Sequence, residues 1–398
     1  MKLYKKIFCR TFQKVMHLSI PLLPYREPKL LNGNEEIINV LKDSKISCVM
    51  LVTGKRIRGH GLITPLEELL AKNNIKCTVF DNTLQNPTSD NVEEARLTYI
   101  DNNCEALIAF GGGSVLDCAK AVGARIVCPN KPLKKMQGLL KICRKLPLLI
   151  AIPTTAGAGS ETTVAAVITD SDTHHKYVIS DFCLIPHYAV ISPEVTVSLP
   201  QNITATTGMD ALTHAVEAYI GRSRTKKTKK AAEEAVKLIF GNLETAYFEG
   251  DNLTARKNML HASYLAGVAF TKSYVGYVHA VAHTLGGKYG VAHGLANAIL
   301  LPIVLRAYGN SAVKRLAELA KAVNLVSNDI KDEEAANIFI SKIEEMNKKM
   351  NIPAKFECIV IDDIPMMSKL ADKEANPLYP VPTLWDAKEL EEIYKKSL

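Results

Sequence analysis

The sequence lacks the patterns that mark membrane-spanning, secreted or disulfide-stabilised proteins. None of its apolar runs reaches the roughly 20 residues needed to cross a bilayer. Its nine cysteines are scattered without a C-x-x-C pair, which indicates reduced thiols. The basic stretch 1–14 and the apolar stretch 17–24 resemble a signal sequence, but Pro21 and Pro24 interrupt the apolar part and no small-residue cleavage site follows. We therefore expect a cytoplasmic protein without a membrane partner, with a surface helix or strand at its N-terminus.

Features of nucleic-acid-binding proteins are also scarce. The formal charge of +8 is modest for 398 residues, and the basic clusters at 131–145 and 222–230 have neither interleaved aromatic residues nor a recognised motif. We interpret both clusters as solvated surface and expect no nucleic-acid partner. A basic nucleic-acid binder, or a non-catalytic metal or nucleotide sensor, is the weakest of the functional hypotheses that the sequence leaves open.

The first half of the chain alternates strand and helix patterns. Helices are predicted at 66–73 and 92–102, between apolar runs of strand type at 47–53, 76–80, 106–110, 148–152 and 188–191. Such alternation predicts a parallel sheet with helices on both faces. We therefore expect an α/β dinucleotide-binding domain of Rossmann-like type over residues 1–199.

After Pro200 the pattern becomes helical. Apolar residues recur with helical spacing at 206–220, 229–246, 255–269, 278–286, 310–323 and 333–350. A last helix is predicted to begin at Thr383, where Thr-x-x-Asp is a weak capping signal. Because 398 residues exceed the usual size of one domain, we expect an all-α second domain over 200–398.

Two polar, glycine-rich loops follow predicted strands of the first domain. Residues 111–114 read Gly-Gly-Gly-Ser before a helical pattern, and residues 153–161 contain two threonines and two glycines. Glycines let the backbone approach phosphate oxygens, and a helix start attracts anions. Neither loop is a G-x-G-x-x-G or P-loop motif, so a tight turn explains either one alone. Two such loops in one sheet favour a dinucleotide site at the carboxyl ends of the strands.

The residues after the first long strand bear on cofactor choice. NAD-binding sites of this type commonly carry a carboxylate there, whereas basic residues accommodate the 2′-phosphate of NADP. Residues 52–58 of this chain contain no carboxylate and three cations, Lys55, Arg56 and Arg58, next to Gly54. The sequence therefore favours NADP(H), unless the stretch is merely an exposed basic loop.

A set of histidines and one carboxylate predicts a metal site. Asp210 and His214 are four residues apart on a predicted helix, as are His279 and His283, and His293 follows in Ala-His-Gly. One carboxylate with three imidazoles suits iron or zinc and leaves coordination positions for substrate. Spacing alone does not decide between His279 and His283. A metal site beside a dinucleotide site suggests metal-assisted hydride transfer.

Several motifs resemble those of the iron-containing, group III alcohol dehydrogenase family, and the match runs from about Leu30 to the C-terminus. They are GGGSxxDxxK at 111–120, TTAGxGSE at 154–161, GMDALTHAVE at 208–217, HAVAH at 279–283, AHG at 292–294 and NPLYP at 376–380. Within the family the chain resembles the NADPH-dependent butanol or 1,3-propanediol dehydrogenase branch, and Gly54 stands where NAD-using members carry aspartate, which supports NADP(H). The resemblance implies a dehydroquinate synthase-like architecture and a dimer or larger homo-oligomer.

The resemblance also implies roles for individual residues. Its metal ligands fall on Asp210, His214, His279 and His293, with Fe²⁺ favoured and Zn²⁺ possible. His283 matches a histidine that is not a ligand and is often assigned to proton transfer. Its cofactor-contact positions fall on Asn86, Gly112, Gly113, Ser114, Asp117, Thr154, Thr155 and Lys176, and the residue patterns described above add Gly54, Lys55 and Gly111 to the cofactor-binding set.

The main functional prediction is a metal-dependent alcohol dehydrogenase or aldehyde reductase that transfers hydride between NADP(H) and a small primary alcohol or aldehyde, such as butanal. An NAD(H)-linked diol or lactaldehyde oxidoreductase is one alternative. A lyase resembling dehydroquinate synthase is another, but such enzymes need several cations around a polyanionic substrate. Around the metal motifs the only positively charged residues are Lys272 and Lys288, which favours a small neutral substrate.

Overall fold

The computed structural model describes residues 1–398, which form two compact units. The α/β unit comprises residues 24–197. The helical unit comprises residues 1–23 together with 198–398.

A six-stranded, wholly parallel sheet is the centre of the α/β unit. Its order is β1-β9-β6-β4-β2-β3. The strands of this sheet are β1 (Lys29–Leu31), β2 (Cys48–Val52), β3 (Lys76–Phe80), β4 (Ala106–Gly111), β6 (Leu148–Pro153) and β9 (Tyr188–Val190). Every residue of β2 and β4 is buried, which is why both read as continuous apolar runs. The predicted parallel sheet is confirmed.

Helices cover both faces of this sheet. They are α2 (Asn34–Asp43), α3 (Lys55–Gly59), α4 (Thr64–Lys72), α5 (Ser89–Asp101) and α6 (Gly113–Val127). Successive strand residues point to opposite faces, so Met50 packs in one core with Val122, and Leu51 packs in the other with Ile37. At the carboxyl end of the sheet, β4 ends at Gly111 and α6 begins at Gly113.

A small second sheet was not expected from the sequence. It has the order β5-β8-β7, with β5 (Gly138–Leu139), β7 (Ala165–Thr169) and β8 (Lys176–Ser180). The β7–β8 pair is antiparallel, and in β8 buried Tyr177 and Ile179 alternate with exposed Lys176 and Val178. Only one face of this pair is buried, and although β7 carries the apolar run 165–168, no strand was predicted there from the sequence.

The helical unit confirms the predicted helical second half. Its helices are α1 (Leu3–Ser19), α7 (Gln201–Ile220), α8 (Lys226–Phe248), α9 (Leu253–Ser273), α10 (Tyr277–Tyr289), α11 (His293–Tyr308), α12 (Asn310–Ala322), α13 (Asp332–Lys349), α14 (Ile364–Ala375) and α15 (Ala387–Lys396). A capping box between Thr225 and Thr228 begins α8. None of the helices combines the length and the apolar character of a membrane span.

The N-terminal segment groups with the helical unit, although the sequence assigned residues 1–199 to the α/β domain. Hydrogen bonds explain the difference. The Arg10 guanidinium donates to the carbonyl oxygens of Val381 (2.8 Å) and Pro382 (3.0 Å), and the Gln13 amide donates to the carbonyl of Tyr379 (2.7 Å). Local patterns do not reveal such contacts between the two ends of the chain.

In the helical unit, three helices differ from the expectation. The last helix begins at Ala387 and not at Thr383, because Asp386 is its N-cap and accepts from the backbone N–H of Glu389. Helices α11 and α14 were not predicted. Most residues of α11 are buried, on all sides of the helix, so its sequence shows no alternation of apolar and polar faces with helical spacing. Pro302 lies inside α11, and a proline usually indicates the end of a helix.

Candidate metal centre and dinucleotide loops

Four side chains from three helices converge in the helical unit. This metal cluster consists of Asp210 and His214 on α7, His279 on α10 and His293 at the first position of α11. Their candidate ligand atoms all lie within 4.8 Å of one another. Oδ1 of Asp210 is 3.4 Å from Nε2 of His293 and 4.0 Å from Nδ1 of His214. Such spacing suits a single ion with small inward shifts, since bonds to zinc-type ions are about 2 Å long.

Close helix packing brings these residues together. Asp210 and His214 share one face of α7 because they are one turn apart. At Gly294, an added Cβ would lie 2.5 Å from the carbonyl oxygen of Thr206. Only glycine therefore lets the start of α11 approach α7 this closely, which carries His293 to Asp210.

A buried carboxylate orients one histidine of the cluster. Oε2 of Glu217 lies 2.6 Å from Nδ1 of His279, and the Glu217 carboxylate also accepts from the backbone N–H groups of Gly276 (2.8 Å) and Val278 (2.9 Å). Burial raises the pKa of Glu217 to about 7, although these hydrogen bonds oppose the shift. With Nδ1 bonded to Glu217, Nε2 of His279 faces the cluster.

The donors of the cluster suit a divalent metal. Burial lowers the pKa of His279 well below its usual value and lowers that of His293 to about 4. Both imidazoles are therefore neutral near pH 7, as metal ligands must be. The amide nitrogen of Asn297 donates to Oδ1 of Asp210 (2.6 Å) and lies 3.2 Å and 3.1 Å from Nε2 of His279 and His293. Three of the candidate ligand atoms thus surround one partly positive N–H group. The same acceptor atoms provide the electrostatic environment that a cation needs.

His283 lies beside the cluster and outside it. Its Nδ1 is 2.7 Å from Oε1 of Glu374, which also accepts from the Tyr379 hydroxyl (2.8 Å). Its ring stacks on His293 with centroids 5.2 Å apart. Burial lowers the pKa of His283, but the Glu374 carboxylate outweighs this and the net pKa is raised. With 44% of its side chain exposed, His283 can exchange protons with water.

In the α/β unit, the two predicted loops lie side by side. Gly111 ends β4 opposite Pro153, which ends β6, and the N–H of Thr154 donates to the carbonyl of Gly111 (3.1 Å). A Cβ added at Gly113 would lie 3.3 Å from that of Ala158, tighter than an ordinary contact. The loops therefore form one surface at the carboxyl ends of neighbouring strands, where α/β folds bind ligands.

A buried charged cluster holds the second loop in place. The Lys120 ammonium donates to Thr163 Oγ1 (2.7 Å) and to Ser160 Oγ (3.2 Å). Both carboxylate oxygens of Asp117 are engaged, one by Ser160 Oγ (2.7 Å) and the other by the N–H of Val167 (3.0 Å). Asp117, which we predicted as a cofactor contact, thus bonds to the loop itself.

Other predicted cofactor positions surround these loops. Ser114 at the start of α6 donates to the carbonyl of Gln85, and the ammonium of Lys176 donates to Oδ1 of Asn86 at 2.9 Å. The structure thus brings the segment 85–86 to the first glycine-rich loop.

A carboxylate that sequence reasoning missed lies beside the basic segment that follows β2. Arg58 pairs with Asp81 of the neighbouring segment at 2.8 Å, so one of the three cations is neutralised. Gly54 forms a bridge with Asn82, and exposed Lys55 and Arg56 have no side-chain partner. Lys55 and Arg56 therefore remain as cations without an ion-pair partner just after β2.

Sequence comparisons agree with this geometry. The family described as iron-containing alcohol dehydrogenase matches residues 28–193, and its C-terminal region matches residues 204–398. The chain is 35% identical to a 1,3-propanediol dehydrogenase of Citrobacter freundii over 87% of this chain and 90% of the relative. It is 32% identical to an NAD-dependent methanol dehydrogenase of Bacillus methanolicus, covering 85% and 89% of the two chains. It is 33% identical to an NADPH-dependent butanol dehydrogenase of Clostridium saccharobutylicum, covering 81% and 82%.

The fold is shared with a solved relative. The crystal structure of a 1,3-propanediol oxidoreductase superposes with a TM-score of 0.89 at 32% identity, covering 94% of this chain and 99% of the other.

Proposed function

Since the chain belongs to the iron-containing alcohol dehydrogenase family and is a metal-dependent alcohol dehydrogenase, we propose that the metal cluster holds its catalytic ion. The convergence of four donors within 4.8 Å carries this proposal. A divalent ion held there, with Fe²⁺ favoured over Zn²⁺, would polarise an alcohol or carbonyl oxygen. Asp210 supplies negative charge to the ion, and His279 is oriented for it by Glu217.

We propose that His283 carries protons between substrate and solvent. Its ring is half exposed, borders His293 and is bonded through Nδ1 to Glu374. Glu374 stabilises the charged imidazolium and fixes the ring, leaving Nε2 for proton transfer. This role explains why His283 lies next to the metal cluster without belonging to it.

The paired glycine-rich loops are the proposed dinucleotide site. The N–H groups at the start of α6 and the hydroxyls of Thr154 and Thr155 would bind the phosphates. Asp117 would act indirectly, because its carboxylate secures the loop that carries those threonines. A dinucleotide held by these loops would supply the nicotinamide that exchanges hydride with the substrate carbon.

NADP(H) is the proposed partner in preference to NAD(H). Gly54 supplies no carboxylate to repel a 2′-phosphate, and Lys55 and Arg56 are free to bind one. Among the relatives, one is named as NADPH-dependent and another as NAD-dependent, so the relatives do not decide between the two cofactors. The proposal of NADP(H) therefore rests on the charges of Lys55 and Arg56.

We propose a small, neutral primary alcohol or aldehyde as substrate. Butanal-like aldehydes and short diols are the leading candidates, in line with relatives named butanol and 1,3-propanediol dehydrogenase. We further expect the enzyme to act in the cytoplasm as a homo-oligomer.

An assay of purified enzyme tests this function. The protein is purified without oxygen, loaded with Fe²⁺ or Zn²⁺, and given a panel of linear aldehydes and diols with NADPH and NADH in parallel. We expect butanal reduction with higher kcat/KM for NADPH. Equal or higher values with NADH would refute the cofactor preference, and no turnover of any alcohol or aldehyde would refute the substrate class.

A further inference from the structure

Helix α1 packs with its polar side inward. Arg10 and Gln13 bond to backbone carbonyls in 377–382, and Nδ1 of His17 lies 3.1 Å from the carbonyl oxygen of Ser223. Cys9 is the one buried apolar residue of the helix. Polar side chains therefore fix α1 to the helical unit, the reverse of the usual amphipathic arrangement.

The outward side of α1 is apolar. Six large apolar residues spaced by one, three, four or seven positions line it, and each is 59–73% exposed: Leu3, Tyr4, Ile7, Phe8, Val15 and Leu18. Leu22, in the turn that follows, is 85% exposed. A continuous apolar surface of this kind marks an interaction site, because scattered exposed residues would not align on one helix face.

Positive charge accompanies this apolar face. Residues 1–26 contain no aspartate or glutamate. Lys2, Lys5 and Lys14 are exposed and make no ion pair with side chains of the protein. Lysines beside an apolar helix face extend their ammonium groups to the polar boundary while the apolar side chains are buried.

We propose that α1 docks on an anionic lipid surface, with its apolar face in the interface and its lysines among the headgroups. Basic helices with aromatic and aliphatic residues on one face bind such surfaces. A second copy fits less well, because pairing α1 with its own equivalent would bring like charges together, and α1 itself contains no acidic residue to compensate. The proposal goes beyond the dehydrogenase activity and replaces the expectation of no membrane partner, and it requires no spanning helix.

Vesicle sedimentation with the full-length protein tests the proposal. The probes are phosphatidylcholine vesicles with and without phosphatidylglycerol. The variant Tyr4→Ser/Phe8→Ser/Val15→Ser removes three exposed apolar groups, and Phe248→Ser/Ile361→Ser is the matched control at exposed apolar positions elsewhere in the helical unit. We expect the wild type to bind the anionic vesicles, less so at high salt, and the α1 variant to bind roughly tenfold more weakly. The control should bind like the wild type.

Three results would overturn the proposal. They are wild-type protein that stays in solution with anionic vesicles, an α1 variant that binds them as well as the wild type, and an α1 variant that changes only the oligomeric state in light scattering. The last result would assign the face to a second copy. Alcohol dehydrogenase turnover in solution should be the same for the wild type and the α1 variant, which separates this test from that of the proposed function.

Discussion

The Glu217 carboxylate lies 2.6 Å from Nδ1 of His279 and is buried with it. This pair places a hydrogen-bonding carboxyl group behind one candidate ligand, so that the other ring nitrogen of His279 faces the cluster. Gly276 completes the arrangement, because a Cβ there would lie 2.6 Å from Oε1 of Glu217. The position of His279 therefore depends on a residue that does not itself belong to the metal cluster.

We predict that Glu217→Gln weakens metal binding by roughly 10–100-fold, because loss of a carboxylate behind a ligating histidine typically has that effect. The measurement is competition for Fe²⁺ or Zn²⁺ with a chelator of known affinity. Glu318→Gln is the control, since Glu318 pairs with Arg224 at the surface of the same unit. Unchanged affinity in Glu217→Gln would remove this carboxylate from the account of the metal site.

His283→Ala should lower kcat by at least about tenfold while the variant keeps its metal, because general acid–base catalysis typically contributes more than that. Glu374→Gln should give a smaller decrease and shift the pH profile of kcat, since the carboxylate that raises the pKa of His283 is lost. Elemental analysis accompanies the kinetics. If His283→Ala emerged without metal under conditions in which the wild type retains it, His283 would be a ligand.

Gly54→Asp should shift cofactor preference toward NADH by about tenfold or more, because a carboxylate there repels a 2′-phosphate and can bind ribose hydroxyls. The position accepts a side chain, since an added Cβ would lie 3.7 Å from the nearest atom, the carbonyl oxygen of Thr83. Gly59→Asp adds the same charge at the other end of α3, where nothing lies within 4 Å of an added Cβ. The ratio of kcat/KM values for NADPH and NADH is measured. Equal shifts in both variants would show that only overall charge matters.

A pH effect is expected at His187 in the α/β unit. Its Nδ1 accepts from the N–H of Leu149 (3.1 Å), and burial followed by repulsion from Arg26 lowers its pKa from 6.5 to about 4. A histidine with a lowered folded-state pKa contributes stability that is complete above about pH 6.5 and is lost as the pH falls toward about 4.

The variant His187→Asn isolates this effect, because its amide oxygen can still accept from Leu149 but does not titrate. Between about pH 7 and about pH 4, we expect the wild type to lose about 2 kcal/mol more free energy of unfolding than the variant. Urea unfolding at the two pH values measures this. Parallel losses in both proteins would show that His187 does not titrate as described.

The sequence predicted those parts of the molecule that have local signatures. The strand at 76–80 agrees residue for residue with β3, and the spacing of Asp210 and His214 placed both on one helix face. The family resemblance is confirmed by the matches at 28–193 and 204–398. In each case the information lies in a short stretch of chain.

Features that depend on distant contacts were not predictable. Glu217 appeared only as part of a motif, although it contacts His279 across 62 positions. Asn297 lies four residues after His293 and gave no signal, because an asparagine in an apolar helix has many possible partners. Asp81 was missed beside Arg58 because it follows a different strand. Local periodicity carries no information on which segments meet in space.

The central claim is that Asp210, His214, His279 and His293 together bind one metal ion. The most direct test is elemental analysis of protein purified without oxygen, for the wild type, His293→Ala and His283→Ala. We expect about one divalent ion per chain in the wild type and His283→Ala, and less than about one tenth of that in His293→Ala. Full metal content in His293→Ala, or a wild type that takes up no divalent metal, would contradict the account.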